Sequence, residues 1–169
     1  KTDTGDITGN IIKKDNIPEE CFKKEKVFSV LNKIKGKQDQ VPPMYSAIKI
    51  NGKKLYEYAR KGQDVEVKPR EIEIYGTELI SILKEDNQIK FKVSCSKGTY
   101  IRTLCEKIAE ELGTIGCMCA LNRERVGDFD MKDSIKISSI KENNNKNIYM
   151  RWLNKLNLIF IKAIIILIF

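Results

Sequence analysis

Residues 70–113, "REIEIYGTELISILKEDNQIKFKVSCSKGTYIRTLCEKIAEELG", decide the fold class. Two runs alternate apolar and polar residues, with Ile72 and Ile74 in the first and Ile89, Phe91 and Val93 in the second, as strands with one buried face require. "EDNQ" between them supplies a polar turn, so the pair reads as a long antiparallel hairpin. After Gly98 the period changes. Ile101, Leu104, Cys105, Ile108 and Leu112 recur at helical spacing, Glu106, Lys107, Glu110 and Glu111 fall largely on other faces, and Gly113 closes the run.

Working outward, "NIPEECFKKEKVFSVLNKIKG" carries Pro18 and two glutamates at a helix start and Lys35-Gly36 at its end, with Phe22, Val27, Val30, Leu31 and Ile34 at roughly helical spacing. "ITGNIIKK" near the beginning has strand character. "CMCALNRERVGDF" reads as a further strand, and a short helix is expected near Ser138 to Lys141. These elements make an α+β fold, a mixed and mainly antiparallel sheet with flanking helices.

The chain has 169 residues, enough for one ordinary domain with a core. Its 31 Lys and Arg against 23 Asp and Glu give a net charge of +8, which favours a polyanionic partner, nucleic acid ahead of a membrane surface. Without histidine there is no imidazole general base and no His-based zinc site. Proton transfer must therefore use carboxylate, Tyr, Lys or Cys. The five cysteines, Cys21, Cys95, Cys105, Cys117 and Cys119, form no CxxC pair, and we read them as reduced thiols acting mostly as small core residues of a cytoplasmic protein. No signal peptide is recognisable, and an opening on "KTDTGDITGNIIKK" without Met points to a fragment.

Two stretches carry chemistry. In "CSKGTYIRTL", Lys97 leads through Gly98 into a helix N-terminus, where backbone N–H groups and the helix dipole attract anions. Tyr100 and Arg102, on the first turn and off the apolar stripe, can reach a ligand, the ring by stacking and the guanidinium by pairing with carboxylate or phosphate. In "QVPPMYSAIKINGKKLYEYARKG", Tyr45, Lys49, Lys53, Lys54, Tyr56, Tyr58, Arg60 and Lys61 mix rings with cations around a Pro pair and an Asn51-Gly52 turn. That composition suits an RNA-docking arm as well as it suits a solvated basic hairpin.

Four blocks in order, "TDTGD" followed by Gly9, residues 40–62, "CSKGTYIRTL" at 95–104 and "ALNRERVGDF" at 120–129, resemble the bacterial TruB-type tRNA pseudouridine synthases. The resemblance implies an isomerase that converts the T-loop uridine 55 of tRNA to pseudouridine by flipping the nucleotide into a cleft, with an aspartate nucleophile and no metal or organic cofactor. It implies that Tyr100 lines the uracil pocket, that Arg102 pairs with and orients the catalytic aspartate, and that Leu121 and Arg123 are a pocket leucine and a nearby basic residue. Tyr45, Lys49, Lys53, Lys54, Arg60 and Lys97 would contact RNA. The partner would be the T arm of tRNA, with no membrane, and the protein a monomer.

Two departures qualify that resemblance. The family's "GxLDPxAxG" block, which bears the nucleophile, does not occur in these 169 residues, and Cys117 stands where many members have His. Residues 1–141 would then be the C-terminal part of a synthase catalytic domain with an RNA-docking insertion at about 40–70, and 142–169 an atypical hydrophobic tail. For the tail, a frameshifted and disordered or misfit segment is favoured over a helix packing on a missing part, and that over a membrane anchor. An RNA-binding module without catalysis stays open as the alternative function, and a generic basic RNA-binding domain is a weaker third.

Overall fold

The computed structural model describes residues 1–134 and 160–169. Chain order is α1 (Lys24–Lys33), β1 (Gly36–Gln40), β2 (Lys49–Ile50), β3 (Lys53–Lys54), α2 (Leu55–Ala59), β4 (Arg70–Leu83), β5 (Gln88–Ser96), α3 (Ile101–Leu112), β6 (Cys117–Val126), β7 (Phe129–Asp130) and β8 (Phe160–Ile168). Six strands form one sheet in the order β1-β4-β5-β8-β6-β7, and β2 and β3 form a separate hairpin. Every strand pair in the large sheet is antiparallel, and one isolated parallel bridge, Asp6 to Met118, joins the N-terminal loop to β6.

The expected hairpin is β4 and β5, turned at residues 84–87 with Asn87 at a positive φ of 54°. Strict alternation along β5 buries Ile89, Phe91, Val93 and Cys95 on one face. That face is covered by the apolar stripes of α1 (Val27, Val30, Leu31) and α3 (Leu104, Cys105, Ile108, Leu112), which complete the core. Helix α3 stops where Gly113 takes the left-handed conformation, φ 88° and ψ 27°, which most side chains resist.

Several expectations are corrected. "ITGNIIKK" is a loop, because Asp3 and Asp6 turn the backbone: Asn10 N–H donates to Asp3 Oδ1 at 2.9 Å and Thr8 N–H to Asp6 Oδ1 at 3.0 Å. Its isoleucines stay in solvent, Ile11 64% and Ile12 61% exposed. The helix expected from Pro18 is broken at Lys23 (φ −70°, ψ 124°) into a 3-10 turn, Glu19–Phe22, and α1, which buries Cys21 and leaves Phe22 half-buried. The short helix expected near Ser138 lies outside the described residues.

Of residues 142–169, expected above to be an atypical tail, the structure describes 160–169. Phe160–Ile168 is β8, paired over its whole length with β5 (Gln88 to Ile168 through Ser96 to Phe160) and also with β6. On the face that meets the core Ile165 and Leu167 are fully buried, while Ile166 and Ile168 between and beyond them are half-buried.

Candidate active site and nucleic-acid interface

The β5–α3 junction is built by a glycine turn. Gly98 has φ 82°, Thr99 Oγ1 donates to the Ser96 carbonyl at 2.9 Å, and Lys97 stands exposed on the outside. Tyr100, in extended conformation (φ −88°, ψ 107°), precedes the first helical residue, and its side chain caps nothing. Tyr100 as a whole is half-buried beside the helix start.

Arg102, also half-buried, ties three segments together. Its Nη1 donates to the Thr4 carbonyl at 3.1 Å and its Nη2 to the Tyr45 carbonyl at 2.7 Å. Gly5 makes the approach possible: it adopts φ +69°, and a Cβ there would sit 3.4 Å from the Cβ of Arg102. Two of the five guanidinium N–H donors are committed to these carbonyls, and the fork keeps others for a carboxylate or phosphate. The "TDTG" loop, the Pro-Pro segment and α3 therefore meet at one arginine.

Leu121 and Arg123 are carried by β6. Leu121 opposes Ile165 and packs partly into the core, while Arg123 opposes Ala163 and is exposed. Strand β8 separates them from β5, which at the usual strand spacing puts β6 about 10 Å from β5. Arg123 nevertheless acts on that strand: burial pushes the Cys95 thiol up, opposed by a hydrogen bond with Thr99 and by the positive charge of Arg123. Tyr100 immediately precedes α3 and Arg102 lies on its first turn, while Arg123 sits on β6, two strands over from β5.

The arm is a hairpin and a short helix. Asn51 (φ 50°) and Gly52 (φ 79°) make the tight turn between β2 and β3, and Leu55, fully buried, anchors α2. Backbone bonds fold α2 back, Leu55 N–H donating to Ile48 at 2.8 Å and Tyr56 N–H to Ser46 at 3.1 Å. Lys54 Nζ lies 5.4 Å and Arg60 Cζ 5.2 Å from the centre of the Tyr56 ring, and Tyr58 Oη donates to the Ile50 carbonyl at 3.1 Å. Lys49, Lys53 and Arg60 are exposed and Lys54 is half-buried. Tyr45, at the foot of the arm, is half-buried and contributes its carbonyl to Arg102.

A groove of about 550 Å³ along α3 is lined by Asp39, Gln40, Glu106, Lys107, Glu110 and Glu111 among others, four carboxylates against one cation. Its carboxylates would repel a polyanion, so a nucleic acid is not its natural occupant. No group of three or more His, Cys, Asp or Glu among the described residues could hold a metal ion. No helix among the described residues is long and apolar enough to cross a membrane.

Three residues at this site gave no signal on their own in the sequence: Thr4, whose carbonyl accepts from Arg102, Gly5, whose Cα lies against the Arg102 side chain, and Gln40, whose side chain bonds the backbone of Tyr100. Gln40 was findable only as a polar residue ending a strand before Pro42 and Pro43, a weak mark.

Comparison with known proteins is decisive at this point. Residues 1–101 match the TruB family pseudouridylate synthase (N terminal domain), and residues 102–156 match the tRNA pseudouridylate synthase B C-terminal domain. The chain belongs to the TruB family of pseudouridylate synthases. It is 45% identical over 141 residues to the tRNA pseudouridine synthase B of Caldanaerobacter subterraneus subsp. tengcongensis, covering 83% of this chain and 48% of that protein. The tRNA pseudouridine synthase B of Clostridium tetani is 43% identical over 143 residues, covering 85% and 48%. That of Psychrobacter cryohalolentis is 44% identical over 141 residues, covering 83% and 38%. The chain spans less than half the length of each of these relatives.

Proposed function

We propose that this chain is the part of a cytoplasmic tRNA pseudouridine synthase that binds the T arm and forms one wall of the uridine pocket. The reaction breaks the bond between ribose C1′ and uracil N1 and joins C1′ to C5. C5 loses a proton and N1 gains one, so no electron acceptor is needed. The observation that carries the reading is the placement of Arg102, held by the carbonyls of Thr4 and Tyr45 with donors to spare, beside Tyr100 at a helix start. A guanidinium so fixed keeps a partner carboxylate ionised and aimed, which is what an aspartate nucleophile requires. Tyr100 offers a face on which a flipped base can stack. The arm from Lys49 to Lys61 supplies cations for phosphates.

In this proposal the nucleophile is an aspartate outside the present residues, since the sequence contains no Leu-Asp-Pro. Residues 1–141 are then the later part of a catalytic domain, and this chain alone does not turn over. A second reading is a T-arm binding module without catalysis, which the exposed cations of the arm, Lys49, Lys53 and Arg60, would serve by themselves.

One experiment separates the two. The chain is joined to the N-terminal segment of a relative carrying the "GxLDPxAxG" block and assayed for pseudouridine in a T-arm hairpin. Product is expected from the joined protein and none from the chain alone. Tight, T-arm-selective binding with no product from the joined form would leave only the binding module.

A further inference from the structure

Gln40 ends β1 and is only 8% exposed, yet its side chain does not serve the strand. Its Oε1 accepts the Tyr100 N–H at 2.7 Å and its Nε2 donates to the Tyr100 carbonyl at 3.1 Å. The side-chain amide thus pairs with the Tyr100 peptide as a neighbouring strand residue would. Among the side chains of similar length, only the amide offers a donor and an acceptor in one plane, whereas an ionised Glu would offer acceptors alone.

The elements that these two bonds join are each also held by other bonds. Strand β1 is already paired with β4 at five positions, from Gly36 opposite Ile74 to Gln40 opposite Arg70. Helix α3 already has its first rung, from Leu104 N–H to the Tyr100 carbonyl at 3.1 Å. What Gln40 fixes is the peptide at the turn from extended chain into helix, where the backbone angles of Tyr100 set the direction of its ring. The same segment continues through Pro42 and Pro43 to the Tyr45 carbonyl that receives Arg102. One stretch of chain therefore holds the backbone of one pocket residue and the side chain of the other.

We propose that Gln40 is a positioning residue of the uridine pocket, its amide clamping the Tyr100 peptide and so aiming the Tyr100 ring and, two residues on, Arg102. The inference rests on the functional reading above. It assigns Gln40 to the chemical step and leaves tRNA affinity to the cationic arm.

The test uses the joined protein described above, with Gln40→Met and Gln40→Glu. For Gln40→Met, kcat for pseudouridine formation is expected to fall about 10- to 100-fold per folded molecule, with KM for the T-arm hairpin almost unchanged. Gln40→Glu should be impaired near pH 8 and recover towards wild type as the pH falls. A protonated carboxyl again presents one donor and one acceptor, and burial raises the pH at which this happens. A merely structural residue would not produce that rising ratio of variant to wild-type kcat. A wild-type kcat in Gln40→Met, or a Gln40→Glu defect that ignores pH, would overturn the proposal.

Amide hydrogen exchange on the present chain supplies a readout independent of activity. Gln40→Met should speed exchange at Tyr100 while Leu104 and Ile108 stay protected, whereas unchanged exchange at Tyr100 would count against the clamp. Should the wild-type joined protein form no pseudouridine, the functional reading fails, and exchange at Tyr100 still decides whether Gln40 holds that peptide. Should Gln40→Met not fold, the pH dependence of Gln40→Glu carries the decision.

Discussion

Arg102 Nη2 donates to the backbone carbonyl of Tyr45 at 2.7 Å, joining the first turn of α3 to the foot of the basic arm. The bond is between a charged donor and a main-chain acceptor, so it reports where the arm begins, whatever side chain stands at 45. With the second bond to Thr4, it makes Arg102 a fastening for two loops.

Replacing Arg102 with Ala should therefore do two separable things. In the joined protein, pseudouridine formation is expected to drop about 100-fold or more, because the guanidinium no longer orients the nucleophile. In the present chain, loss of two hydrogen bonds from a charged, half-buried donor should cost on the order of 2–4 kcal/mol, read as a lower urea midpoint. Arg102→Lys keeps the charge but not the fork, and should recover less than half of the lost stability. Turnover unchanged in Arg102→Ala would remove Arg102 from the pocket.

Gly5→Ala tests the other side of the same contact. An alanine at φ +69° is strained by about 1–2 kcal/mol, and its Cβ would press at 3.4 Å on the Cβ of Arg102. The expected result is a melting temperature several degrees lower, with catalysis in the joined protein falling by more than stability alone explains. A silent Gly5→Ala would mean that the "TDTG" loop shifts freely.

Local pattern explains which parts of the fold were legible before the structure. The β4–β5 hairpin and α3 announce themselves because each has one buried face, so period 2 and period 3.6 stand out in the residues themselves. The "IIKK" run misleads because its apolar residues suggest a strand, while the aspartates that bend it act through hydrogen bonds to residues up to seven positions away. Strand β8 was opaque for another reason: "FIKAIIILI" has no alternation to read, and its partners begin 64 residues upstream at Ser96 and 34 upstream at Val126. At the site, Tyr100 and Arg102 stood out by chemical type and by their place after Gly98. Gln40 did not, because a single amide says nothing until its partner, 60 residues on, is beside it.

The arm should behave as a phosphate-binding surface. Changing Lys49, Lys53, Lys54 and Arg60 to Gln together should weaken T-arm binding across sequences and reduce the log–log salt slope by up to about one per residue that contacts phosphate. The fold should survive, since Leu55, which anchors the arm, is untouched and fully buried. Binding titrations between low and physiological salt read the slope. An unchanged slope would make the arm a solvated hairpin.

The cysteines predict an alkaline weakness. Burial pushes the thiols of Cys21, Cys95, Cys105 and Cys117 up, most strongly in Cys105, which is fully enclosed. A thiol whose folded-state value is raised holds its proton longer in the native state than in the unfolded chain. Stability is therefore complete below the free-thiol value, about pH 8.5, and declines as the pH rises above it. Urea midpoints should be level between pH 6.5 and 8 and fall by pH 9.5, and Cys105→Ala should make that fall shallower. A midpoint independent of pH over this range would show that the thiols ionise without unfolding.

The tail offers the sharpest test of the fold. If Phe160–Ile168 is a foreign segment that never joins the protein, then cutting a side chain within it changes nothing. If it is β8, Leu167 sits fully buried opposite Met118 and Ile89, and the sheet depends on it to join β5 to β6. Leu167→Ala should then cost about 2–5 kcal/mol, a large share of the 5–15 kcal/mol that holds a domain together. The loss should also reach the site, because within the sheet β8 is the strand that joins β6, with Leu121 and Arg123, to β5. Hydrogen exchange separates the outcomes: in the wild type the amides of β5 facing β8 are protected, and in Leu167→Ala they should open before those of α1. Equal protection in both proteins, with an unchanged urea midpoint, would take β8 out of the sheet and leave the slot between β5 and β6 to another strand.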